Sequence, residues 1–430
     1  MKSDPGSAPL DLRGRDLVVD GARVASVVVV VVAHLLLIGV GRDADGSLTI
    51  TKPLAEQPWF PVVSVLGQVM PLFFALGGFT AYTGWRSLRS RGGEWTEFVR
   101  ARVLRLARPS LPLFAFFAAT LSIAALAGAP TALVRAVAAG VGTPLWFLAA
   151  FVLCQWAAPA MIALHERAPY RTLAALAAAA LTVDAARSAT GIEAIGLLNT
   201  AFVWLFAQQL GFFYADGRLL RAPRVLLAAA GTVTAALLVA GMASDIYSPD
   251  MLRNQYPPLF ALGLLGVTQL CVLALLHPAL TAVMRGRAAQ AVTFLVGSRL
   301  MTVYLWHLTC IVVIIGVCLL VPGWTPQPGS PAWWSSRPLV LIAAAVLVGA
   351  LSLLVVRFER TPPLARASGM TVTRIAPWRI HLASACVFLP AFAIMCWGLD
   401  LWNAVFALVS YGAVMLLARV VVVRQSVTTP

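Results

Sequence analysis

Runs of about twenty apolar residues recur from one end of this chain to the other, broken by short polar stretches. A hydrocarbon core about 30 Å thick is crossed by roughly 20 helical residues. Inside lipid the backbone must satisfy its own hydrogen bonds, which leaves helices or closed barrels. A barrel needs alternating segments of about ten residues, and none is present. The charge content agrees: 11% of the residues are charged, against about 25% in a soluble domain. The sequence therefore predicts an all-α, polytopic transmembrane bundle of about 10–12 helices. They are expected near residues 21–40, 60–84, 109–128, 144–164, 173–190, 194–214, 225–243, 258–277, 302–321, 338–356, 380–399 and 402–418. The first run is followed by no small-residue cleavage site and reads as a retained helix. Residues 1–20 read as a short cytoplasmic segment, 21–360 as one membrane domain, and 361–430 as a C-terminal segment with an extra helical hairpin.

The net charge of +15 does not point to nucleic acid, because the basic residues collect in alternate loops. With twelve helices, 26 of the 32 Lys and Arg fall on the side that holds both termini. The positive-inside rule then puts both termini in the cytoplasm. The six exceptions are Arg42, Lys52, Arg135, Arg187, Arg253 and Arg337. The outer loops carry Trp59, Trp324, Trp333 and Trp334 near helix ends, as interfacial anchors do. The six cysteines lie in apolar runs without a CxxC pair, so neither a disulfide framework nor a metal site is indicated.

Few residues in such a chain can carry chemistry. Arg23 and His34 share the first apolar run, eleven residues apart. That is close to three helical turns, so both lie on one face, with His34 roughly 16 Å farther along. This spacing puts the imidazole near the bilayer centre, where it must face protein or a water-filled cavity. A neutral imidazole in a cavity is a suitable general base for a hydroxyl. A membrane histidine is equally at home bonded across helices to a carbonyl, and Arg23 alone reads equally as a snorkelling anchor.

Residues 86–108 hold seven arginines. Arg102 and Arg105 share one flank, so this stretch reads as a short interfacial helix leading into a membrane helix that starts at Pro109. An arginine row suits the phosphates of a nucleotide; it also suits ordinary anchoring or anionic lipid. Met70-Pro71 through Gly77-Gly78-Phe79 permits close helix approach or a break. Tyr304-Leu-Trp306-His307 reads as an interface belt or the lining of a site entrance. His165, His277 and His381 read as interfacial. Asp184 and Arg187, three residues apart, are expected to neutralise one another.

Taken together, these segments resemble the acyltransferase 3 family of integral membrane acyltransferases. Asp20-Gly21-Ala22-Arg23 through His34 is similar to the family's opening, in which an arginine precedes a histidine by eleven positions. The order continues with Pro71 through Phe79, where Gly77 stands at a position often held by Ser. Then come Arg102-x-x-Arg105 with Pro109, Leu145-Trp146-Phe147-Leu148, and Tyr304-Leu-Trp306-His307. The resemblance spans roughly residues 15–360 and leaves the last hairpin outside a core of ten helices. It implies an integral membrane acyltransferase; the high content of Ala, Val, Leu and Arg is compatible with a bacterial source, so the expected location is a bacterial inner membrane. The donor would be acyl-CoA, usually acetyl-CoA, with no metal. The acceptor would be a hydroxyl of a carbohydrate, glycolipid or glycosylated metabolite. It implies that His34 is catalytic, as base or transient acyl carrier, with Arg23 as its motif partner. It further implies that Arg102 and Arg105 meet the donor's phosphates or gate its entry, and that Trp146, Tyr304 and His307 are site residues. From the residues alone, a secondary transporter using His34, Asp184 and Arg187 as coupling groups stays open.

Overall fold

The computed structural model describes residues 16–42, 47–321, 323–359, 370–372, 375–419 and 422–424. Most of the N-terminal segment and part of the C-terminal one lie outside these. The chain starts with α1 (Leu17–Leu37), the hairpin β1–β2 (Gly39–Arg42, Leu48–Thr51), α2 (Phe60–Gly67) and α3 (Met70–Arg89). Then come α4 (Trp95–Leu126), α5 (Thr131–Gly142), α6 (Trp146–Arg167), α7 (Pro169–Thr190) and α8 (Asn199–Ala215). The short α9 (Arg218–Arg221) leads to α10 (Arg224–Ala243), α11 (Ala261–Met284), α12 (Arg287–Gly297), α13 (Leu300–Leu319) and α14 (Pro331–Glu359). Strand β3 (Met370–Val372), helices α15 (Pro377–Trp397) and α16 (Leu401–Leu417), and strand β4 (Val422–Arg424), antiparallel to β3, complete the order.

Every expected apolar segment is helical. Among the described residues, eleven helical stretches are long and apolar enough to span a membrane, and α16 follows with 17 residues. The molecule is a polytopic helical bundle.

Three boundaries differ from the sequence expectation, each for a local reason. Asp16 accepts hydrogen bonds from the amides of Val18 and Val19, at 3.0 and 3.2 Å. This cap starts α1 at Leu17, and strand β1 ends it early, so His34 sits in the last turn rather than at mid-helix. The arginine row is not a separate helix. α4 runs unbroken through Pro109 and Pro112, although each proline removes a backbone donor. Its buried face, including Val99, Val103, Ala107, Leu113 and Phe114, keeps it packed on both sides of the prolines. Third, α14 starts at Pro331, which takes Arg337 out of the outer loop and into a helix.

The glycines of the third segment serve close approach. A Cβ at Gly78 would sit 2.2 Å from the carbonyl oxygen of Gln208, and one at Gly211 would sit 1.8 Å from that of Ala75. Helices α3 and α8 therefore touch backbone to backbone, which fixes the centre of the bundle. The C-terminal hairpin is built into the wall. Tyr411 of α16 packs its ring 5.0 Å from Phe114 of α4, and Arg100 donates to the carbonyl of Ala418 at 2.7 Å.

Arg187 remains a charged neighbour of Asp184, but the hydrogen bonds of the two go elsewhere. Asp184 accepts from the side-chain amide of Asn199 (2.7 Å) and the backbone amide of Phe260 (2.8 Å), at the start of α11. Arg187 instead reaches Glu193 at 2.8 Å. His165 is not interfacial but 1% exposed, between Asp216 (3.0 Å) and Gln209 (2.9 Å). For His165 and Asp184, partners on other helices replace water or the local neighbour.

Candidate functional site

The last turn of α1 and the first half of α13 bring two imidazoles together. Nδ1 of His34 lies 3.1 Å from Nε2 of His307, with ring centroids 5.1 Å apart. Nδ1 of His307 faces two backbone carbonyls, of Tyr304 at 2.8 Å and of Val303 at 3.1 Å. A carbonyl only accepts, so Nδ1 of His307 carries that ring's proton and its Nε2 holds a lone pair. That lone pair in turn requires a proton on Nδ1 of His34. For two neutral rings the network leaves one tautomer, in which Nε2 of His34 is an unprotonated acceptor. His307 is 1% exposed, whereas His34 is only half-buried and keeps accessible surface. The half-buried ring is thus held by a fully buried one.

Aromatic rings lead away from this pair. Tyr304 lies 6.5 Å from His307 and 4.8 Å from Phe147. Its hydroxyl donates to the carbonyl of Pro144, in the turn between α5 and α6. Phe147 packs 5.3 Å from Phe73, and the guanidinium of Arg23 lies over Phe73 at 5.9 Å. Arg23 thus turns toward the buried aromatic wall instead of acting only as an anchor. Trp146 stacks on Trp204 at 5.3 Å, and Trp204 on Phe74 at 4.3 Å. Three sequence segments far apart in the chain therefore meet along one wall. Trp306 faces elsewhere, toward Phe116 at 5.4 Å.

At the other end of the wall lie the arginines. Arg102 donates to the carbonyl of Thr80 at 2.9 Å and lies over the ring of Phe98 at 5.0 Å. Gly84 makes room for it, since a Cβ there would stand 2.7 Å from its Nη2. Its charged neighbours are Arg105 and Arg23. Arg105, one turn on, is exposed. The structure thus joins Arg23, Arg102 and Arg105 electrostatically, and joins Arg23 to His34 through packed rings.

Several buried polar atoms along these helices find no protein partner, among them Nε1 of Trp204, Nε1 of Trp306 and Oγ1 of Thr309. Each such atom costs about 1–3 kcal/mol unless water or a ligand satisfies it. The His34–His307 contact and the ring path were not visible in sequence. Their only signal was the histidine at the end of Tyr304-Leu-Trp306-His307, which the structure buries at 1% exposure.

The family model for the acyltransferase domain matches residues 16–357, and the chain belongs to this family, acyltransferase 3. No curated protein and no solved structure matches the chain. Family membership identifies an integral membrane protein and points to an acyltransferase.

Proposed function

We propose that this protein is a membrane O-acyltransferase that moves an acyl group, acetyl by default, from acyl-CoA to a hydroxyl of a sugar or glycosylated acceptor. The observation that carries the reading is the His34–His307 contact, in which a fully buried imidazole holds a half-buried one. The cytoplasmic donor docks its phosphates at Arg102 and Arg105, whose guanidinium groups suit phosphate. Arg23 and the rings of Phe73, Phe147 and Tyr304 line the way to His34. The donor supplies an activated thioester. Nε2 of His34 removes the proton of the acceptor hydroxyl as its oxygen attacks the thioester carbon. The C–S bond then breaks, and the proton passes to the leaving thiolate. His307 accepts from Nδ1–H of His34 throughout and holds the imidazolium in place. Base assistance of this kind supplies about 10²–10⁴ in rate.

The test is CoA release from acetyl-CoA by the purified protein, followed with a thiol reagent in the presence of candidate acceptor glycans. His34→Ala is expected to lose at least about 10²-fold in turnover, with normal membrane insertion and donor binding. Full activity of His34→Ala would remove the assigned role. Counterflow of an unmodified solute in liposomes without thioester turnover would favour a transporter instead.

A further inference from the structure

Farther along α13 than His307, helices α13 and α14 border a groove of about 600 Å³. Its walls are apolar, from Val313 and Val317 on α13 to Leu339, Ala343 and Leu347 on α14. One charged side chain lines it, Arg337, which is 8% exposed. Arg337 lies over Trp333 at 4.3 Å and donates to the carbonyl of Trp333 and the hydroxyl of Ser336. Among the described residues no carboxylate pairs with it.

A buried cation is costly unless it is paired or hydrogen-bonded, and a bound anion would pair it. Arg337 is also one of the six basic residues that break the inside-positive pattern. Trp333, expected at the interface, is buried beneath it instead, at 1% exposure. Leu347 is ten residues beyond Arg337, so the groove continues about 15 Å along α14 below the guanidinium. A guanidinium at the head of an apolar channel complements one kind of ligand, an anion carrying a hydrocarbon chain.

We infer that this groove is a binding site for an anionic phospholipid, with its phosphate on Arg337 and one hydrocarbon chain between α13 and α14. The inference does not depend on the acyl-transfer reading. The α1 end lies close by: Val40 lines the groove, and Leu35, next to His34, packs with Ile311 and Ile315 at its base. A lipid there is therefore separated from the histidine pair by one packed layer.

The full-length protein in nanodiscs of phosphatidylglycerol and phosphatidylcholine with identical chains tests this by native mass spectrometry. The last lipid stripped at rising collision energy is expected to be phosphatidylglycerol, with a preference of roughly ten-fold from a charge-assisted pair. Arg337→Gln should bring that preference to near unity, while Arg337→Lys should keep part of it. Ala343→Phe fills the channel and should lose the tightly held lipid with the guanidinium still present. Excess inorganic phosphate should not displace the lipid; displacement would mean an anion site without a chain and would overturn the inference. Equal retention of both lipids by the unaltered protein, or an unchanged preference in Arg337→Gln, would overturn it as well. If Arg337→Gln does not fold, Ala343→Phe decides alone, and an unchanged preference there sinks the inference.

Discussion

Replacing His307 tests the proposed chemistry more sharply than replacing His34, because His307 acts only through another ring. In His307→Phe the Nδ1–H of His34 loses the Nε2 acceptor at 3.1 Å, while the ring keeps its bond to the Val30 backbone. A neutral hydrogen bond of this kind is worth about 0.5–1.5 kcal/mol, and one from a charged donor about 1.5–3. The difference, about 1–1.5 kcal/mol, is the stabilisation that appears only when His34 takes the proton. At about 1.4 kcal/mol per factor of ten, kcat should fall roughly ten-fold. The KM for acyl-CoA should not move, because the arginines are untouched. His307→Gln retains an amide oxygen able to accept and should recover most of the rate. The carbonyls of Val303 and Tyr304 lose only a supplementary donor, so the thermal midpoint should change little in either variant. Steady-state thiol release and thermal unfolding in detergent measure both quantities. An unchanged kcat in His307→Phe, or equal losses in Phe and Gln with a raised KM, would refute the reasoning.

Other substitutions have separable outcomes. Arg102→Ala with Arg105→Ala should raise the KM for acyl-CoA by roughly ten-fold or more, with a smaller change in kcat, since a charge-assisted contact is worth about 1.5–3 kcal/mol; donor titration measures it. Gly78→Ala must part α3 from α8, because its Cβ meets the Gln208 carbonyl oxygen at 2.2 Å; a loss of at least about 1–3 kcal/mol is expected. Gly140→Ala is the control, with nothing within 4 Å of its Cβ, and thermal unfolding should find it neutral or stabilised by up to about 1 kcal/mol. Asp184→Ala leaves the amide of Phe260 without its acceptor, while the Asn199 side chain keeps the Ala180 carbonyl at 3.2 Å, at a cost of about 1–3 kcal/mol in the same assay. Activity should follow stability there, in contrast to His34→Ala.

The bundle was legible because length and apolarity alone decide which segments span, and those survive any error in tertiary detail. Boundaries were less so. The Asp16 cap and the turn into β1 moved His34 by about one turn, and a local cap is weakly written in sequence. Pro109 misled for a related reason: it ends a helix in isolation, but α4 is held on both sides of it by buried residues from other helices. Arg23 and His34 were visible as ionisable residues of one apolar run, and Arg102 and Arg105 as a row on one flank of an interfacial stretch. Their connection was not, because Phe73, Phe147 and Tyr304 look like ordinary core residues until three distant segments meet. Arg337 shows the same limit, since only the start of α14 at Pro331 turns a loop cation into a buried one.

The positions of the two ends also bear on how an acyl group reaches its acceptor. On the proposed reading the phosphates sit at Arg102 and Arg105, with Arg23 beside them. His34 lies about 16 Å farther along α1, one turn from the hairpin β1–β2. A donor anchored at the arginines must extend a flexible arm past Phe73 and Phe147 to present its thioester at Nε2. An acceptor meeting it there needs to enter only from the hairpin end. Direct transfer then requires no resting acyl-histidine, and the lone pair on Nε2 is needed for the hydroxyl proton. Rapid quench of the protein with radiolabelled acetyl-CoA and no acceptor separates the routes. Direct transfer leaves no label on the chain, whereas stoichiometric label on His34 would refute it and make the imidazole the carrier.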